Sequence, residues 1–567
     1  MHADEIKSFF RGEVLDDTAT LARYSRDASV FEVRPEVVVC PKNVADLKAL
    51  VKWAAAKRRA DEKVSLTARS GGTDMSGGAI NDSIIVDFSK YLNKFVSIKA
   101  DRDGQGGTAT VQPGMFYRDF EKQTLKKNLL LPSYPASREI CTVGGMAANN
   151  SGGEKTLAYG KTERYVTQLK MVLADGEEYV IKPLTKSELA RKTRGKNFES
   201  NLYKKLAALI KNNEKLIQKA KPDVSKNSAG YYLWNIWDGQ TFDLPKLIVG
   251  SQGTLGLITE ITFCLIRPKP HSLMAVLFLQ DLDELGSIVQ TIMRFGPETL
   301  ESYDDQTLKL AIRFFPQILA RAKGSRLKLA LGFLPDLWML IRHGWPKLVV
   351  LAELTGEDEA EIRERLTDLT RALKEQNPYL KIQHKHRKAA HHEAFVHLTK
   401  NQAAEEKYWI TRRESFNLLR GNIKGKHTLP VIDDVVVKPE YLKDFLPEMG
   451  VILGKYRKYL FSTIAGHVGD GNFHIIPLMD FRNPEARAIV PKLMDEVYDL
   501  VLRYKGSITA EHNDGLVRTP YLKKMYGPKV TALFAKVKDI FDPLSIFNPR
   551  KKVNPDLKYA LEHLQQD

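Results

Sequence analysis

The stretch that decides the fold is Ala68–Ile80, which reads ARSGGTDMSGGAI and carries four glycines within ten residues. It closely follows a strand-like run at Val64–Leu66. Because glycine accepts positive φ and lets the backbone come close to a ligand, successive N–H groups of such a loop can converge on an anion. The spacing differs from the G-x-G-x-x-G of a nicotinamide-binding turn. The loop is therefore predicted to bind the phosphate of some other cofactor.

Two more glycine-rich stretches follow it along the chain. Ser133–Gly160 reads SYPASREICTVGGMAANNSGGEKTLAYG, and Val249–Glu260 reads VGSQGTLGLITE. Any one of the three, taken alone, is typical of an ordinary tight loop. Three of them, each beside a strand and all before residue 270, favour a cofactor that the chain surrounds.

The pattern around these loops predicts an α+β fold. Glu36–Cys40 (EVVVC) is a buried strand by composition, and Val44–Lys57 repeats apolar residues at helical spacing. A second rhythm starts after residue 270, with a strand at Leu273–Leu279, a helix at Asp283–Phe295 and a strand at Thr299–Ser302. Strand–helix–strand units with antiparallel returns predict a ferredoxin-like sheet domain.

Composition limits the classes of function. The chain has 567 residues, 43% of them hydrophobic, and 86 Lys and Arg against 69 Asp and Glu give a net charge of +17. The lysines are spread along the chain without a recognition motif, which argues against nucleic-acid binding. Three distant cysteines and no C-x-x-C predict neither a disulfide framework nor a cysteine-ligated cluster, so a reducing cytoplasmic compartment is expected. No secretory signal or apolar run of spanning length is expected either.

Two short motifs gather histidines and carboxylates. Gly466–His474 reads GHVGDGNFH, and Ala510–Gly515 reads AEHNDG. The glycine-rich turn could bring both histidines of the first motif to one ion, while Glu511 and His512 would diverge on an extended strand and serve different roles. Two imidazoles and a carboxylate suit Zn²⁺ or another first-row divalent ion. The alternative is that these are hydrogen-bonded structural histidines, among 13 in the chain.

With these motifs in place, the sequence resembles the PCMH-type FAD-binding proteins of the vanillyl-alcohol oxidase superfamily. It is especially similar to the branch of D-lactate dehydrogenase, glycolate oxidase flavin subunits and D-2-hydroxyglutarate dehydrogenase. YSRDAS at Tyr24–Ser29, PEVVVCP at Pro35–Pro41 and FNPRK at Phe547–Lys551 also match that branch. The resemblance implies a two-subdomain FAD-binding domain over 1–270, a cap or substrate domain over 271–505, and a C-terminal segment over 506–567 that returns to the flavin.

The resemblance also assigns cofactor-binding residues. Relatives with covalent flavin place a histidine after R-S-G-G, where this chain has Thr73, so non-covalent FAD is expected. The residues that it assigns to FAD are Arg69, Ser70, Gly71, Gly72, Thr73, Asp74, Met75, Ser76, Gly78, Pro132, Thr142, Gly144, Gly145, Ala148, Asn150, Gly152, Gly153, Gly160, Gly253, Thr254, Gly256, Ile258 and Asn548.

In metal-dependent relatives the ligands correspond to His467, His474 and Glu511, and the catalytic base corresponds to His512. The metal expected by this match is a divalent ion, with Zn²⁺ the leading candidate. The branch commonly has glycines and an aliphatic residue after the Glu-His pair, whereas Asn513–Gly515 follow here, which leaves the local shape and the substrate preference open.

A further match concerns the substrate carboxylate. Trp409–Glu414 reads WITRRE and is similar to the branch's W-x-x-R element, by which Arg412 would pair with that carboxylate. If the match is shifted by one residue, Arg413 would pair with the carboxylate instead. The alternative without a binding role is that WITRRE is part of a charged surface helix.

The function implied is oxidation of a D-2-hydroxy acid, most directly D-lactate, with hydride transfer to FAD. Electrons would leave to an external quinone or cytochrome. Glycolate and D-2-hydroxyglutarate remain open as substrates. An alkyl-dihydroxyacetonephosphate synthase-like transferase is the alternative within the superfamily, although His391–His392 is only a pair where that enzyme would have a run. A non-catalytic flavoprotein or membrane-surface module is the alternative from another class.

A basic and apolar segment, residues 313–347, stands apart from both rhythms. It carries seven Lys or Arg against Asp336 alone, interleaved with Phe, Leu and Trp. Such a segment fits either a contact with an anionic membrane surface, which would place the protein on the inner face of the cytoplasmic membrane, or an insertion that packs on the cap domain, for example at a homodimer contact.

Overall fold

The computed structural model describes residues 2–316, 340, 344–376, 381–382, 395–401, 404–413, 427–428 and 430–565. Most of the basic and apolar segment at 313–347 and the His391–His392 pair lie outside these described residues. The two interpretations of that segment therefore stay predictions.

The first half of the chain builds two sheets and a short ribbon. Its strands are β1 (Glu13–Leu15), β2 (Val37–Cys40), β3 (Leu66–Arg69), β4 (Ile84–Asp87), β5 (Phe95–Ala100), β6 (Gly106–Val111), β7 (Val166–Val172), β8 (Glu178–Ile181), β9 (Leu184–Thr185), β10 (Thr241–Phe242) and β11 (Leu257–Ile266). Its helices are α1 (His2–Lys7), α2 (Thr18–Tyr24), α3 (Val44–Arg59), α4 (Tyr117–Leu125), α5 (Val143–Asn149), α6 (Thr156–Tyr159), α7 (Lys186–Lys192), α8 (Phe198–Asn212), α9 (Glu214–Ala220) and α10 (Pro245–Ile248), with 3₁₀ turns at Thr162–Arg164 and Leu233–Asn235.

These strands pair in two different ways. The first sheet has the order β1-β2-β4-β3, and β2, β4 and β3 run parallel, as continuous apolar runs such as VVVC on β2 favour. The second has the order β5-β6-β11-β7-β8, and β11 alternates buried and partly exposed residues because only one of its faces packs on the core.

The second half builds one large sheet and then a helical C-terminal segment. Its strands are β12 (His271–Leu279), β13 (Thr299–Asp304), β14 (Leu348–Gly356), β15 (Lys381–Ile382), β16 (Phe395–Leu398), β17 (His427–Thr428), β18 (Val435–Val436), β19 (Leu460–His467) and β20 (Asn472–Met479). Its helices are α11 (Leu285–Met293), α12 (Asp305–Arg313), α13 (Glu359–Gln376), α14 (404–413), α15 (Leu442–Lys455), α16 (Pro484–Arg503), α17 (Gly515–Arg518), α18 (Leu522–Phe541) and α19 (Leu557–Glu562), with 3₁₀ turns at Pro439–Tyr441, Val468–Asp470 and Thr519–Tyr521.

Four strands of this sheet follow the order expected of a ferredoxin-like unit. Along the described part of the chain the order is β15-β16-β12-β14-β13-β19-β20-β17, so β14 returns between β12 and β13, and helices α11 and α13 make the crossovers. Strands β19 and β20 extend the sheet beyond that unit, which the sequence pattern did not predict. The mixture of helices with mainly antiparallel sheets confirms the predicted α+β class.

The two faces of the large sheet have different cover. Helices α11, α13, α15 and α16 bury one face in a large apolar core. On the other face, Tyr408 and Trp409 of α14 pack against Met274 and Leu351 of the sheet. Helix α18 returns to the first half, where Phe534 and Phe541 join its core. The division of the chain at residues 270 and 505 stays a proposal. No described helix is long and apolar enough to span a lipid bilayer.

Candidate active site

A cavity of about 1000 Å³ lies where the three glycine loops meet the large sheet and α14. The residues that the sequence assigned to FAD and that line this cavity are Arg69, Ser70, Gly71, Gly72, Thr73, Asp74, Met75, Gly78, Thr142, Gly144, Gly145, Ala148, Gly152, Gly153, Gly253, Gly256 and Ile258. The others, which are not among the lining residues, are Ser76, Pro132, Asn150, Gly160, Thr254 and Asn548.

The glycine loops are shaped by close backbone approach and by side chains behind them. A Cβ on Gly71 would lie 2.7 Å from the carbonyl oxygen of Ile140, so the first two loops touch where only glycine fits. Asn548 is fully buried, and its amide donates to the carbonyl oxygens of Gly78 at 2.8 Å and Gln252 at 2.7 Å. Asn548 therefore ties the first and third loops together from behind.

Arg69 and Asp27 line the cavity beside the first loop. The Arg69 guanidinium donates to the carbonyl oxygens of Arg26 at 2.7 Å and Tyr24 at 3.2 Å. Asp27 Oδ1 accepts from the backbone N–H of Ser29, while its Oδ2 is buried with no hydrogen-bond partner among the described residues. Burial, assisted by the nearby Asp74 carboxylate, raises the pKa of Asp27 to about 7. The sequence assigned no role to Asp27, although the motif that contains it, YSRDAS, was visible.

The histidines of the first motif share one face of the β19–β20 hairpin. Ala465 pairs with His474 and His467 pairs with Asn472, so alternation along the strands puts both imidazoles on the same side. Their ring centroids are 5.2 Å apart, and the His474 ring stacks on that of His512 at 5.0 Å. The fourth member, Glu511, has its Oε2 3.5 Å from His467 Nε2. The structure thus brings together all four residues that the two motifs contributed.

Buried carboxylates behind the histidines fix the imidazole rings, and the sequence analysis missed them. Glu301 on β13 bonds His467 Nδ1, and Asp433 lies 3.1 Å from His474 Nδ1 and 2.8 Å from His512 Nδ1. Asp433 Oδ1 makes a hydrogen bond to His474, whereas Asp433 Oδ2 and His512 Nδ1 form a close ion pair without hydrogen-bond geometry. Because a carboxylate faces Nδ1 in each case, Nε2 is the ring nitrogen left for a ligand or a proton. Glu301 comes from a strand far away in sequence, so no local pattern pointed to it. The adjacent Asp433–Asp434 pair lies within an apolar run, and that pattern could have indicated two buried carboxylates.

Asp434 has a structural task, although its carboxylate is close to His474, Glu511 and His512. Its Oδ2 accepts from the backbone N–H groups of Ala510, Glu511 and His512 at 2.7–2.9 Å. Its Oδ1 accepts from Asn472 at 3.1 Å. Because both oxygens are engaged, Asp434 holds the 510–512 segment against the sheet and is a poor candidate for a metal ligand.

Lys226 is a second residue that the sequence analysis missed. Its Nζ lies 2.7 Å from Glu511 Oε1 and 2.9 Å from Asp470 Oδ2, and its side chain is 1% exposed. Burial alone favours the neutral amine, but Asp470 and Glu511 keep the pKa of Lys226 above its usual value. Lys226 therefore stays a cation and occupies one oxygen of Glu511.

Charge also sets the protonation of the histidines. Burial lowers the pKa of His512, but the Asp434 and Asp433 carboxylates outweigh it and raise that pKa to about 9. For His467 burial is likewise outweighed, here mainly by Glu301, and the pKa is again raised to about 9. Burial would raise the pKa of Glu511, yet Lys226 and His467 hold it well below its usual range.

The donor set is compatible with a divalent metal. Two ligand atoms on one tetrahedral Zn²⁺ lie about 3.4 Å apart, given Zn–N and Zn–O bonds of about 2.1 Å. His467 Nε2 and Glu511 Oε2 are 3.5 Å apart. Among the described residues, His474 and Glu511 belong to a group of possible ligand atoms within 4.8 Å of one another, whose other members are Asp434 and His512 and not His467. Glu511 therefore lies near His467 on one side and near His474 on the other, and the role of these three residues as ligands of one ion stays a proposal.

Both arginines of WITRRE reach the cavity from α14. Arg412 Nε donates to Glu301 at 3.2 Å, which links it to the histidine cluster. Arg413 makes two bonds to Glu154, at 2.6 and 3.0 Å, and its guanidinium lies 4.8 Å from the Trp409 ring centroid. Neighbouring residues on a helix point about 100° apart, so the two arginines face different walls of the cavity.

Family comparisons identify two domains in the chain. Residues 268–552 match the family described as FAD linked oxidases, C-terminal domain, and residues 35–182 match the family described as FAD binding domain. Among solved structures, alkyldihydroxyacetonephosphate synthase covers 97% of this chain and 84% of its own, at a TM-score of 0.63 and 16% identity. p-Cresol methylhydroxylase covers 95% of this chain and 93% of its own, at a TM-score of 0.62 and 17% sequence identity. These likenesses show the fold, and they confirm the predicted PCMH-type FAD-binding architecture.

Three similar proteins come from the branch that the sequence motifs indicated. D-2-hydroxyglutarate dehydrogenase of Escherichia coli (strain K12) is 29% identical over 96% of this chain, but this chain spans only 51% of that protein. Glycolate oxidase subunit GlcD of Bacillus subtilis (strain 168) is 27% identical, with 96% of this chain and 94% of that protein covered. D-lactate dehydrogenase of Anaerostipes hadrus is 25% identical, with 92% of this chain and 90% of that protein covered. The resemblance seen in the sequence is thereby confirmed.

Proposed function

The chain belongs to the FAD-linked oxidases, and on that basis we propose that it is a dehydrogenase for (R)-2-hydroxy acids, with D-lactate as the first candidate substrate. The observation that carries the proposal is the meeting of His467, His474, Glu511 and His512 in the cavity that the glycine loops line. Glycolate and D-2-hydroxyglutarate are the alternatives, because similar proteins bear those names.

Arg412 is the proposed partner of the substrate carboxylate. Its Nε is engaged by Glu301, and Glu301 is only 1% exposed, so the guanidinium is oriented by a fixed carboxylate. A guanidinium so held can offer its terminal nitrogens to a carboxylate through two parallel hydrogen bonds. This contact would place the substrate's C2 beside the histidine cluster.

His512 is the proposed general base for the substrate hydroxyl. Its Nδ1 lies 2.8 Å from Asp433, which leaves Nε2 to take the proton. Asp433 then stabilises the imidazolium that forms, in the manner of a carboxylate that orients a catalytic histidine. The backbone of His512 is itself held by Asp434, so the base is constrained from two sides.

Two groups would supply the chemistry that side chains lack. FAD, when bound non-covalently along the glycine loops, accepts the hydride that leaves C2. A divalent metal, with Zn²⁺ the leading candidate, would be held by His467, His474 and Glu511 and would lower the pKa of the substrate hydroxyl. Electrons would then pass to an external quinone or cytochrome, and membrane association through 313–347 belongs to the same proposal.

The test is anaerobic bleaching of the flavin by a panel of (R)- and (S)-2-hydroxy acids, with and without chelator. We expect bleaching by (R) acids. His512→Asn should slow flavin reduction by about 10²–10⁴-fold, the usual range for losing a general base, with FAD content unchanged. His271→Asn is the matched control, because His271 is exposed on β12, which β14 and β13 separate from β19 in the sheet.

Two outcomes would contradict the proposal. One is a flavin that no 2-hydroxy acid reduces in the intact enzyme. The other is a His512→Asn variant that reduces at the rate of the His271→Asn control.

A further inference from the structure

The two arginines of the cavity are neutralised to different degrees. Arg412 gives only its Nε to Glu301, at 3.2 Å. Arg413 gives both Nε and a terminal nitrogen to the two oxygens of Glu154, at 3.0 and 2.6 Å. A two-bond pair of this kind neutralises the guanidinium and occupies one of the edges through which it could bind a carboxylate of a ligand. Arg413 nevertheless remains 39% exposed at the cavity wall.

Glu154 stands close to the reacting end of the cavity. A Cβ on Gly152 would lie 2.9 Å from Glu511 Oε1, so the backbone of Gly152 rests against the histidine–carboxylate cluster. Glu154 follows two residues later, which keeps its Cα within about 7 Å of that point. Tyr134 Oη also donates to Glu154 Oε1, at 3.3 Å. The Glu154 carboxylate is therefore held in place at the wall of the cavity, on the stretch of chain that touches the cluster.

We propose that Glu154 determines which side chain the substrate carries: paired with Arg413, it makes the site favour 2-hydroxy acids with an uncharged side chain over dicarboxylic ones. The inference rests on the proposed function and refines its substrate class. It assigns to Glu154 and Arg413 a role separate from that of Arg412, which serves the carboxylate common to every 2-hydroxy acid.

The physical argument is one of charge. A second carboxylate on the substrate would meet the fixed anion of Glu154, and it would find Arg413 already neutralised through two of its five N–H groups. An uncharged side chain meets no such opposition, because Trp409, Ile410 and Ile140 also line the cavity. Removing the charge of Glu154 while keeping its shape would free the Arg413 guanidinium for the incoming carboxylate.

The experiment compares two acids of nearly equal shape. (R)-2-hydroxyglutarate carries a terminal carboxylate where (R)-2-hydroxy-5-methylhexanoate carries a carbon with two methyl groups. The kcat/KM of flavin reduction is measured for both with the wild type, Glu154→Gln, Arg413→Gln and the double variant. We expect the wild type to prefer the methyl compound. Glu154→Gln should raise the dicarboxylate-to-methyl ratio by about 10- to 100-fold, the range of a charge-assisted hydrogen bond.

The other two variants separate specificity from mere stability. Arg413→Gln leaves Glu154 unpaired and should lower the ratio below that of the wild type. The double variant should lose the gain of Glu154→Gln, because the cation that captures the second carboxylate is gone. If the pair were only a strut between the 152–154 loop and α14, each variant would change both substrates alike and the ratio would stay constant.

A wild type that prefers the dicarboxylate over its isostere, or a Glu154→Gln ratio within threefold of the wild type, would overturn the inference. Should Glu154→Gln fail to fold, the fall expected for Arg413→Gln still decides it. If no 2-hydroxy acid reduces the flavin, the proposed function has failed instead. The same ratio is then taken from the dissociation constants of the two acids, read from the shift of the flavin spectrum.

Discussion

Replacing Asp433 with asparagine tests how the imidazoles of His474 and His512 are held. Asp433 is fully buried, and its two oxygens face His474 Nδ1 at 3.1 Å and His512 Nδ1 at 2.8 Å. An asparagine keeps the shape but offers a single acceptor oxygen. Its amide N–H group must then point at one of the two ring nitrogens, so one imidazole loses its orientation.

The size of the effect follows from the two roles. A carboxylate behind a metal-binding histidine is worth about 10–100-fold in affinity or activity, and a general base about 10²–10⁴-fold in rate. We therefore expect the maximal rate of flavin reduction in Asp433→Asn to fall by about 10³-fold.

The pH profile should move at the same time. Burial lowers the pKa of His512, while the Asp434 and Asp433 anions raise it to about 9. With that pKa, roughly 1% of His512 is unprotonated at pH 7, and kcat/KM should rise about tenfold per pH unit until about pH 9. Removing the Asp433 anion lowers the pKa, so the unprotonated base persists to lower pH and the acidic limb of the profile shifts to lower pH.

The assay is stopped-flow flavin reduction under anaerobic conditions from pH 5.5 to 10, with FAD content measured in each preparation. A lower plateau together with a displaced limb supports the assignment. A plateau that falls while the limb stays at its wild-type pH would refute it, because Asp433 would then support the fold without setting the charge of His512.

The remaining predictions concern stability and the cofactor. Lys226→Met should lower the free energy of unfolding in urea by about 3–5 kcal/mol, because it leaves two buried carboxylates without their cation. Lys458→Met, which removes an exposed ion pair, should change that free energy by less than about 1 kcal/mol. Equal effects of the two substitutions would contradict the role given to the buried lysine. Burial, aided by Glu298 and opposed by Lys155, raises the pKa of Glu353 from 4.5 to about 8. Between these two values the folded state keeps a proton that the unfolded state loses, so the free energy of unfolding of the wild type falls as pH rises. In urea titrations, the free energy of unfolding of Glu353→Gln should therefore rise relative to that of the wild type by about a few kcal/mol between pH 5 and pH 8. A difference in unfolding free energy that stays constant over this range would contradict the prediction. Acid precipitation should release all FAD into the supernatant, because Thr73 stands where covalent relatives have histidine; flavin retained in the pellet would show a covalent bond at another residue.

Local spacing explains what the sequence could reveal. The glycine loops, the two histidine motifs and the strand–helix–strand rhythm each lie within a short stretch, so their residues could be recognised together. Glu301 and Lys226 could not be recognised, because they come from β13 and from a loop and meet the cluster only through the fold. The extension of the sheet by β19 and β20 was missed for the same reason, since strand neighbours distant in sequence leave no periodic signal.

Burial explains why part of the predicted cofactor site lies elsewhere. Ser76, Asn150 and Thr254 were assigned to FAD by their place in the glycine motifs, yet each is buried and bonds neighbouring loop residues. A motif fixes which residues belong to a loop, but the packing of that loop decides which of them face its cavity.

The tie made by Asn548 has a consequence for the order of events in the cell. Its amide bridges the loops around Gly78 and Gln252, and it is 470 residues away from Gly78 along the chain. The 470 residues between Gly78 and Asn548 must therefore be synthesised before the back of the cavity can close. A chain that stops before Asn548 can form all three glycine loops and still lack the amide that joins the first of them to the third.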